Sequence, residues 1–232
     1  MSEPLILGVI SSMATKKLLA DLGARYESAH PGVRVQVESV GGVDAARRVQ
    51  AGEALDAVVL ARDAIDKLAA TGAALADSRV DIVRSGVTVA VREGAPQPAI
   101  DSEEAVKQAV LAARSIGYST GPSGVALARL FERWGIAEAV AARIVTAKPG
   151  VPVGSLIAKG EVELGFQQRS ELLGLPGIAI LGDLPAVIQI TTTFTGAVSA
   201  TSRQAEAVRA YLAFMAGADM AAIKRANGMD PA

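Results

Sequence analysis

The stretch Ser115-Ile116-Gly117-Tyr118-Ser119-Thr120-Gly121-Pro122-Ser123-Gly124-Val125-Ala126-Leu127-Ala128-Arg129-Leu130-Phe131 decides how this chain is read. An apolar strand start runs into a loop of hydroxyls and glycines, then straight into an amphipathic helix. Small residues at that junction leave backbone N–H groups uncovered at the positive end of a helix. Such a junction holds a small anion without a lysine. The same order occurs near the start, where Leu5-Ile6-Leu7-Gly8-Val9-Ile10 leads into Ser11-Ser12 and a helix expected from Met13. Two hydroxyl-rich helix starts, far apart in sequence, point to two walls of one ligand site.

Outward from these junctions, strands and helices alternate. A strand over 4–10 precedes a helix over 13–29, with Leu18, Leu19, Leu22 and Tyr26 on one face. Val33–Val40 alternates apolar and polar residues, as a half-exposed strand near a sheet edge does. Gly41-Gly42 turns into a helix over 43–51, and Ala57–Ala61 is a short buried strand followed by a helix at 64–71. This βαβαβα series predicts a parallel sheet with right-handed crossovers.

From Asp81 the pattern changes. Ile82–Arg92 is too long for one buried parallel strand and reads as a segment passing between two domains. Further elements are expected at 102–113, 144–146, 153–159 and 162–166, and a second long extended stretch at 187–200. Helices at 203–215 and 218–227 close the chain. The expected fold class is therefore α/β: two Rossmann-like domains joined by two crossing hinge strands. Domain 1 would be 1–83 plus 195–232 and domain 2 would be the inserted 84–194, with a ligand cleft between them at the carboxyl ends of the strands.

Composition narrows the chemistry. Half of the 232 residues are hydrophobic and 3% are aromatic, so the core is built from Ala, Val, Leu and Ile. A net charge of −1 leaves no basic excess for nucleic acid. With no cysteine, disulfides, thiolate nucleophiles and Cys-ligated metals are excluded. The lone His30 sits in a helix-to-strand turn and reads as a surface loop residue, so neither a metal site nor a cofactor is expected. No apolar run approaches the roughly 20 residues needed to cross a bilayer. Met1-Ser2-Glu3-Pro4 lacks the charged start and apolar stretch of an export signal. The location is expected to be periplasmic if a leader has been removed, and cytoplasmic if Met1 is the native start.

The candidate ligand-binding residues are Ser11, Ser12, Gly41, Gly42, Arg62 and Arg84 in the first domain, and Ser119, Thr120, Ser123, Gly124, Gln167 and Gln168 in the second. Each has a plainer role open to it. Serines cap helices, glycines supply positive φ, and arginines line surfaces. The hydroxyls and N–H groups suit an anion. Arg62 or Arg84 would suit a di- or tricarboxylate by bidentate pairing. No catalytic base stands out: Glu171, Lys16, a serine or Tyr118 would have to serve.

Together these motifs resemble the type II periplasmic solute-binding fold, and within it the molybdate-binding-protein-like branch. The resemblance covers essentially the whole chain. It rests on Ser11-Ser12, Gly41-Gly42, Gly52-Glu53-x-x-Asp56, Ser119–Gly124, Gly160-Glu161-Val162-Glu163-Leu164-Gly165-Phe166 and Gly228-Met229-Asp230-Pro231, in that order. It implies capture of a small oxyanion or carboxylate, membrane subunits of an ABC transporter as partners, and a monomer. The chain departs from molybdate binders where a Gly-Ser would follow the second strand and a tyrosine segment would follow the later strand. Gly41-Gly42-Val43 and Gln167-Gln168-Arg169-Ser170 stand there instead. One hydroxyl fewer and two amides more suit an organic acid, because an amide both donates and accepts. A small branch similar to aconitate isomerase, an enzyme on this fold, supplies the alternative function: isomerisation of a small unsaturated polycarboxylate.

Overall fold

The structure, a computed structural model, describes residues 4–232. Residues 1–3, on which the leader reading and the start of the first expected domain rest, lie outside the described residues. In chain order the main elements are β1 (Leu5–Ser12), α1 (Lys16–Ala29), β2 (Val33–Val40), α2 (Gly42–Gln50), β3 (Ala57–Ala61), α3 (Arg62–Ala70) and β4 (Val80–Arg92). Then follow α4 (Glu103–Ala112), β5 (Ile116–Ser119), α5 (Pro122–Arg133), α6 (Ala137–Val140), β6 (Ile144–Ala147), α7 (Val153–Ala158), β7 (Leu164–Gln168), α8 (Arg169–Leu172) and β8 (Ile178–Asp183). The chain ends with β9 (Thr191–Val198), α9 (Ala205–Ala216), α10 (Ala221–Ala226) and β10 (Asp230–Pro231).

Two compact units emerge. The first ends at Ser85 and resumes over Thr193–Ala232; the second is Gly86–Thr192. Both boundaries fall inside strands, in β4 and β9.

In the first unit β1 pairs in parallel with β2 on one side and β3 on the other. β3 continues into antiparallel β9, with Ala57 opposite Val198 and Ala61 opposite Phe194. The period of two is visible in packing. Leu7 and Val9 of β1 and Ala57 and Val59 of β3 face a core shared with α1 and α9. Ile10, Val58 and Leu60 face the opposite core, under α2 and α3. A sheet buried on both faces demands such near-continuous apolar strands. β2 alternates because it ends the strand order. The short β10 runs antiparallel to β4, Asp230 opposite Arg84, and Arg84 donates to the Pro231 carbonyl at 3.0 Å.

The second unit repeats the scheme. β5 pairs in parallel with β6 and β7, and β7 lies antiparallel to the latter half of β4. Val87, Val89, Leu164 and Phe166 meet the helical face that includes Leu127 and Phe131 of α5. Ala90, Val153, Ile157 and Leu172 form the core on the other face.

Two expectations from sequence change. The stretch 187–200 is not extended throughout, since β9 begins only at Thr191. Gln189 just before it folds its side chain back, its Oε1 accepting from the Val87 and Ile190 N–H groups. Gly41 and Gly42 do not have positive φ; Gly41 caps α2 at φ −58° and Gly42 is its first residue. His30 is exposed as expected, but it is not idle: it stacks on Tyr26 with centroids 4.0 Å apart and meets Phe214 edge-on.

Candidate functional site

At the carboxyl edge of the first unit's parallel strands, register fixes the neighbours. Ser11 stands opposite Ser39 and beside Val59, and Ser12 opposite Val40. The Ser11 hydroxyl is fully buried and lies 2.8 Å from that of Ser39. Ser12 is extended before a short 3-10 turn over Met13–Thr15 and caps nothing with its side chain. Its hydroxyl is buried without a partner. A buried donor left unpaired costs about 1–3 kcal/mol. Gly42 comes close: a Cβ there would lie 3.7 Å from that of Ser12. Ser39, two residues before Gly41, brings a further hydroxyl to this edge. The missed signal was register, because Ser39 is unremarkable until β2 is laid against β1.

Arg62 opens α3 at this edge, but its guanidinium is engaged by the Asp81 carboxylate, which also accepts from the Thr195 hydroxyl at 2.6 Å. Arg84 is exposed and bound to the C-terminal strand. Arg62 thus has a local counter-ion and Arg84 a backbone acceptor. Gly52 and Asp56 also prove structural. Gly52 turns at φ +78°, and Asp56 accepts from the Gly8 N–H at 2.9 Å and the Ser202 hydroxyl at 2.7 Å.

The corresponding edge of the second unit joins the ends of β5, β6 and β7. Gly121 is the N-cap of α5, with Pro122 at its start, and has no side chain to cap with. Gly124 is obligatory: a Cβ there would meet the Ser119 carbonyl oxygen at 1.7 Å. The loop thus folds tightly over its own helix. Ser123 is buried, Ser119 is partly exposed and Thr120 is exposed.

Two residues beyond the Gly117–Gly165 pair, β7 carries Gln167, which stands opposite Thr88 of β4. Both glutamines are buried. Gln167 Oε1 accepts from the first N–H of α7, that of Val153, at 2.7 Å, and its Nε2 donates to Glu171 Oε2 at 2.7 Å. Gln168 Nε2 meets the Thr192 hydroxyl at 2.8 Å while its Oε1 is buried without a partner. Turning that amide over leaves the nitrogen unpaired instead, so one end of Gln168 awaits a donor or an acceptor either way. The Ser170 hydroxyl one turn on is equally unpartnered.

Glu171 is the one group here whose ionisation is poised. Burial pushes its carboxyl up to about 7, against the opposing pull of the Gln167 N–H. No cation pairs with it among the described residues, and the adjacent Arg169 binds Asp183 instead. Of the other bases considered, Tyr118 is pushed upward by burial and packs edge-on against Phe131, while Lys16 is exposed on α1. Among the described residues no group of three or more His, Cys, Asp or Glu could hold a metal ion, and no helix is long and apolar enough to cross a membrane.

The fold that carries these two strand-end edges belongs to a solute-binding class of protein. The family described as bacterial extracellular solute-binding protein matches residues 7–230, and this chain belongs to it. The chain is 38% identical over 231 residues to an aconitate isomerase of Pseudomonas sp, covering 97% of this chain and 87% of that protein. In structure it is similar to the periplasmic molybdate-binding protein of Azotobacter vinelandii, with a TM-score of 0.80, 20% identity and coverage of 96% and 98% of the two chains. The sulfate-binding protein of Mycobacterium tuberculosis is similar too, with a TM-score of 0.79, 17% identity and coverage of 98% and 87%. The fold is the two-domain type II solute-binding fold, as the resemblance of the motifs implied.

Proposed function

We propose that this chain captures a small oxyanion or carboxylate outside the cytoplasm and delivers it to the membrane subunits of an ABC transporter. The observation that carries this reading is the unpartnered, buried Ser12 hydroxyl beside the Ser11–Ser39 pair at the end of β1. An uncharged cradle of this kind stabilises an anion through dipoles and leaves it free to dissociate. The buried amide of Gln168 adds a group that can accept or donate, so a protonated or hydroxylated organic acid satisfies it in either orientation.

A thermal-shift screen of molybdate and sulfate against mono-, di- and tricarboxylates tests it. A true ligand at a hundred times Kd adds about 2.7 kcal/mol to stability. Stabilisation by at least one anion, lost in Ser12→Ala, is expected. Failure of every anion in both classes would sink the proposal.

A second reading is favoured by the 38% identity to an aconitate isomerase and by the poised carboxyl of Glu171. On it, the bound anion is an unsaturated polycarboxylate that is turned over. Incubation with trans-aconitate in D₂O separates the two: a receptor returns the ligand unlabelled, an isomerase returns both isomers carrying deuterium.

A further inference from the structure

Glu171 lies one turn into α8, at the end of β7, on the same edge as the Ser119–Gly124 loop. Its surroundings are unusual for a structural carboxyl. A glutamate placed to brace a fold is commonly paired with arginine, as Glu103, Glu163 and Glu53 are elsewhere in this chain. Glu171 has only a neutral partner.

That partner is unambiguous in orientation. The Val153 N–H can only donate, so the Gln167 atom facing it must be the carbonyl oxygen, and the atom facing Glu171 must be the NH₂. One carboxylate oxygen of Glu171 is therefore held by an amide that is itself clamped to the start of α7. The carboxyl is fixed in place, only partly exposed, and lacks the cation that would keep it permanently ionised. Geometry of this kind serves proton transfer, in which the same group must accept a proton and then return it.

We propose that Glu171 is the proton-transferring residue of a 1,3-proton shift on a small unsaturated polycarboxylate, with Gln167 as its positioning residue. The proposal rests on the isomerase reading. In the step, the Glu171 carboxylate removes one proton from the CH₂ carbon that lies between a carboxylate and the C=C bond. The C–H electron pair spreads over the three-carbon unit and its carboxylates. The carboxylic acid so formed then delivers its proton to the far carbon of that unit, the double bond having moved by one position. Rotation of a carboxylate-bearing arm before the shift decides whether the new double bond is cis or trans. Atoms and charge balance, and no oxidant, metal or cofactor enters. The neutral hydroxyls and N–H groups of the same edge would stabilise the spread negative charge. A value near 7 for the carboxyl suits both halves of the transfer at neutral pH.

The test compares the wild type with Glu171→Gln and Glu171→Asp in D₂O, following deuterium uptake and isomer conversion of cis- and trans-aconitate by NMR. Thermal shift with tricarballylate, the saturated analogue, is measured alongside. The wild type is expected to convert and label both isomers, at a rate that rises through about pH 7 as the carboxyl ionises. Glu171→Gln should lose at least about a thousandfold in rate while keeping its tricarballylate shift. Glu171→Asp should lose about ten- to hundredfold and keep a pH limb. Gln167→Met should move that limb upward, since the N–H that favours the ionised form is gone. If the wild type turns over and Glu171→Gln keeps more than a tenth of the rate, or if the Asp and Gln variants fall equally, Glu171 is not the proton carrier although the isomerase reading stands. If the wild type neither converts nor labels aconitate, the isomerase reading fails first and takes this proposal with it.

Discussion

At the strand-end edge of the first unit the polar groups are hydroxyls, and the arginine there is already matched by Asp81. At the edge of the second unit they are backbone N–H groups, two buried amides and a carboxyl that lacks a counter-ion. The sheets are alike, each with parallel strands covered by helices on both faces, so the difference lies in what the last residues of each strand carry. The first edge offers hydroxyls; the second also carries a carboxyl that can exchange a proton near neutral pH.

The contrast can be broken most severely at Gly124. Gly124→Ala drives a Cβ into the Ser119 carbonyl and is expected to cost about 3 kcal/mol of stability, read by urea denaturation. Ligand-induced stabilisation should vanish with it. A shift of less than 1 kcal/mol would mean that the loop opens freely and is not the rigid half of the pair.

Next in size is the pH dependence of the second edge. An ordinary glutamate ionises near 4.5, whereas Glu171 in the folded chain does so at about 7. Below the lower value both folded and unfolded chains hold the proton and the contribution is complete. Between the two the unfolded chain ionises first, so stability falls as pH rises, and above pH 7 the contribution is gone. Glu171→Gln should flatten this slope and raise the melting temperature at pH 8 by roughly 5 °C, corresponding to about 2 kcal/mol. An unchanged slope in calorimetry from pH 5 to 8 would show that the carboxyl is ionised throughout.

Ser12→Ala sharpens the comparison from the first side. The unpartnered hydroxyl contributes nothing without ligand, so the melting temperature of the free protein should hold or rise slightly, while Kd rises about tenfold. Smallest is Arg62→Ala. An exposed ion pair is worth about 0.5 kcal/mol, and ligand affinity should not move. A hundredfold loss of affinity would instead return Arg62 to the ligand.

The sequence resolves these edges unevenly. Period-two strands and apolar helix faces place β1, β2 and β3 within a residue or two, and the glycine-rich junction foretells a helix after β5, because those patterns are local. The serine and glycine loops are legible for the same reason. Ser39 is not, since its role comes from register against a strand 28 residues away. The fate of the arginines is also invisible, because Asp81 and Pro231 reach them only through tertiary structure. Glu171 appears in the sequence only as one of several possible bases. What singles it out is burial beside a glutamine already committed to α7, a property of packing. The short β8 and β10 escape notice because each is an add-on to β4 and carries little periodicity of its own.

The split of the first unit has a consequence for how the chain is made. β3 is buried along most of its length and finishes its ladder only against β9, whose partner for Ala57 is Val198. A ribosome delivers the whole of Gly86–Thr192 before that partner exists. The second unit can therefore close on itself first, while the first waits with an apolar strand edge unpaired. A chain stopped at residue 190 is expected to protect its second unit from protease and to leave residues 4–85 open to cutting. The Ser11–Ser12 edge would then be the last part of the molecule to be completed.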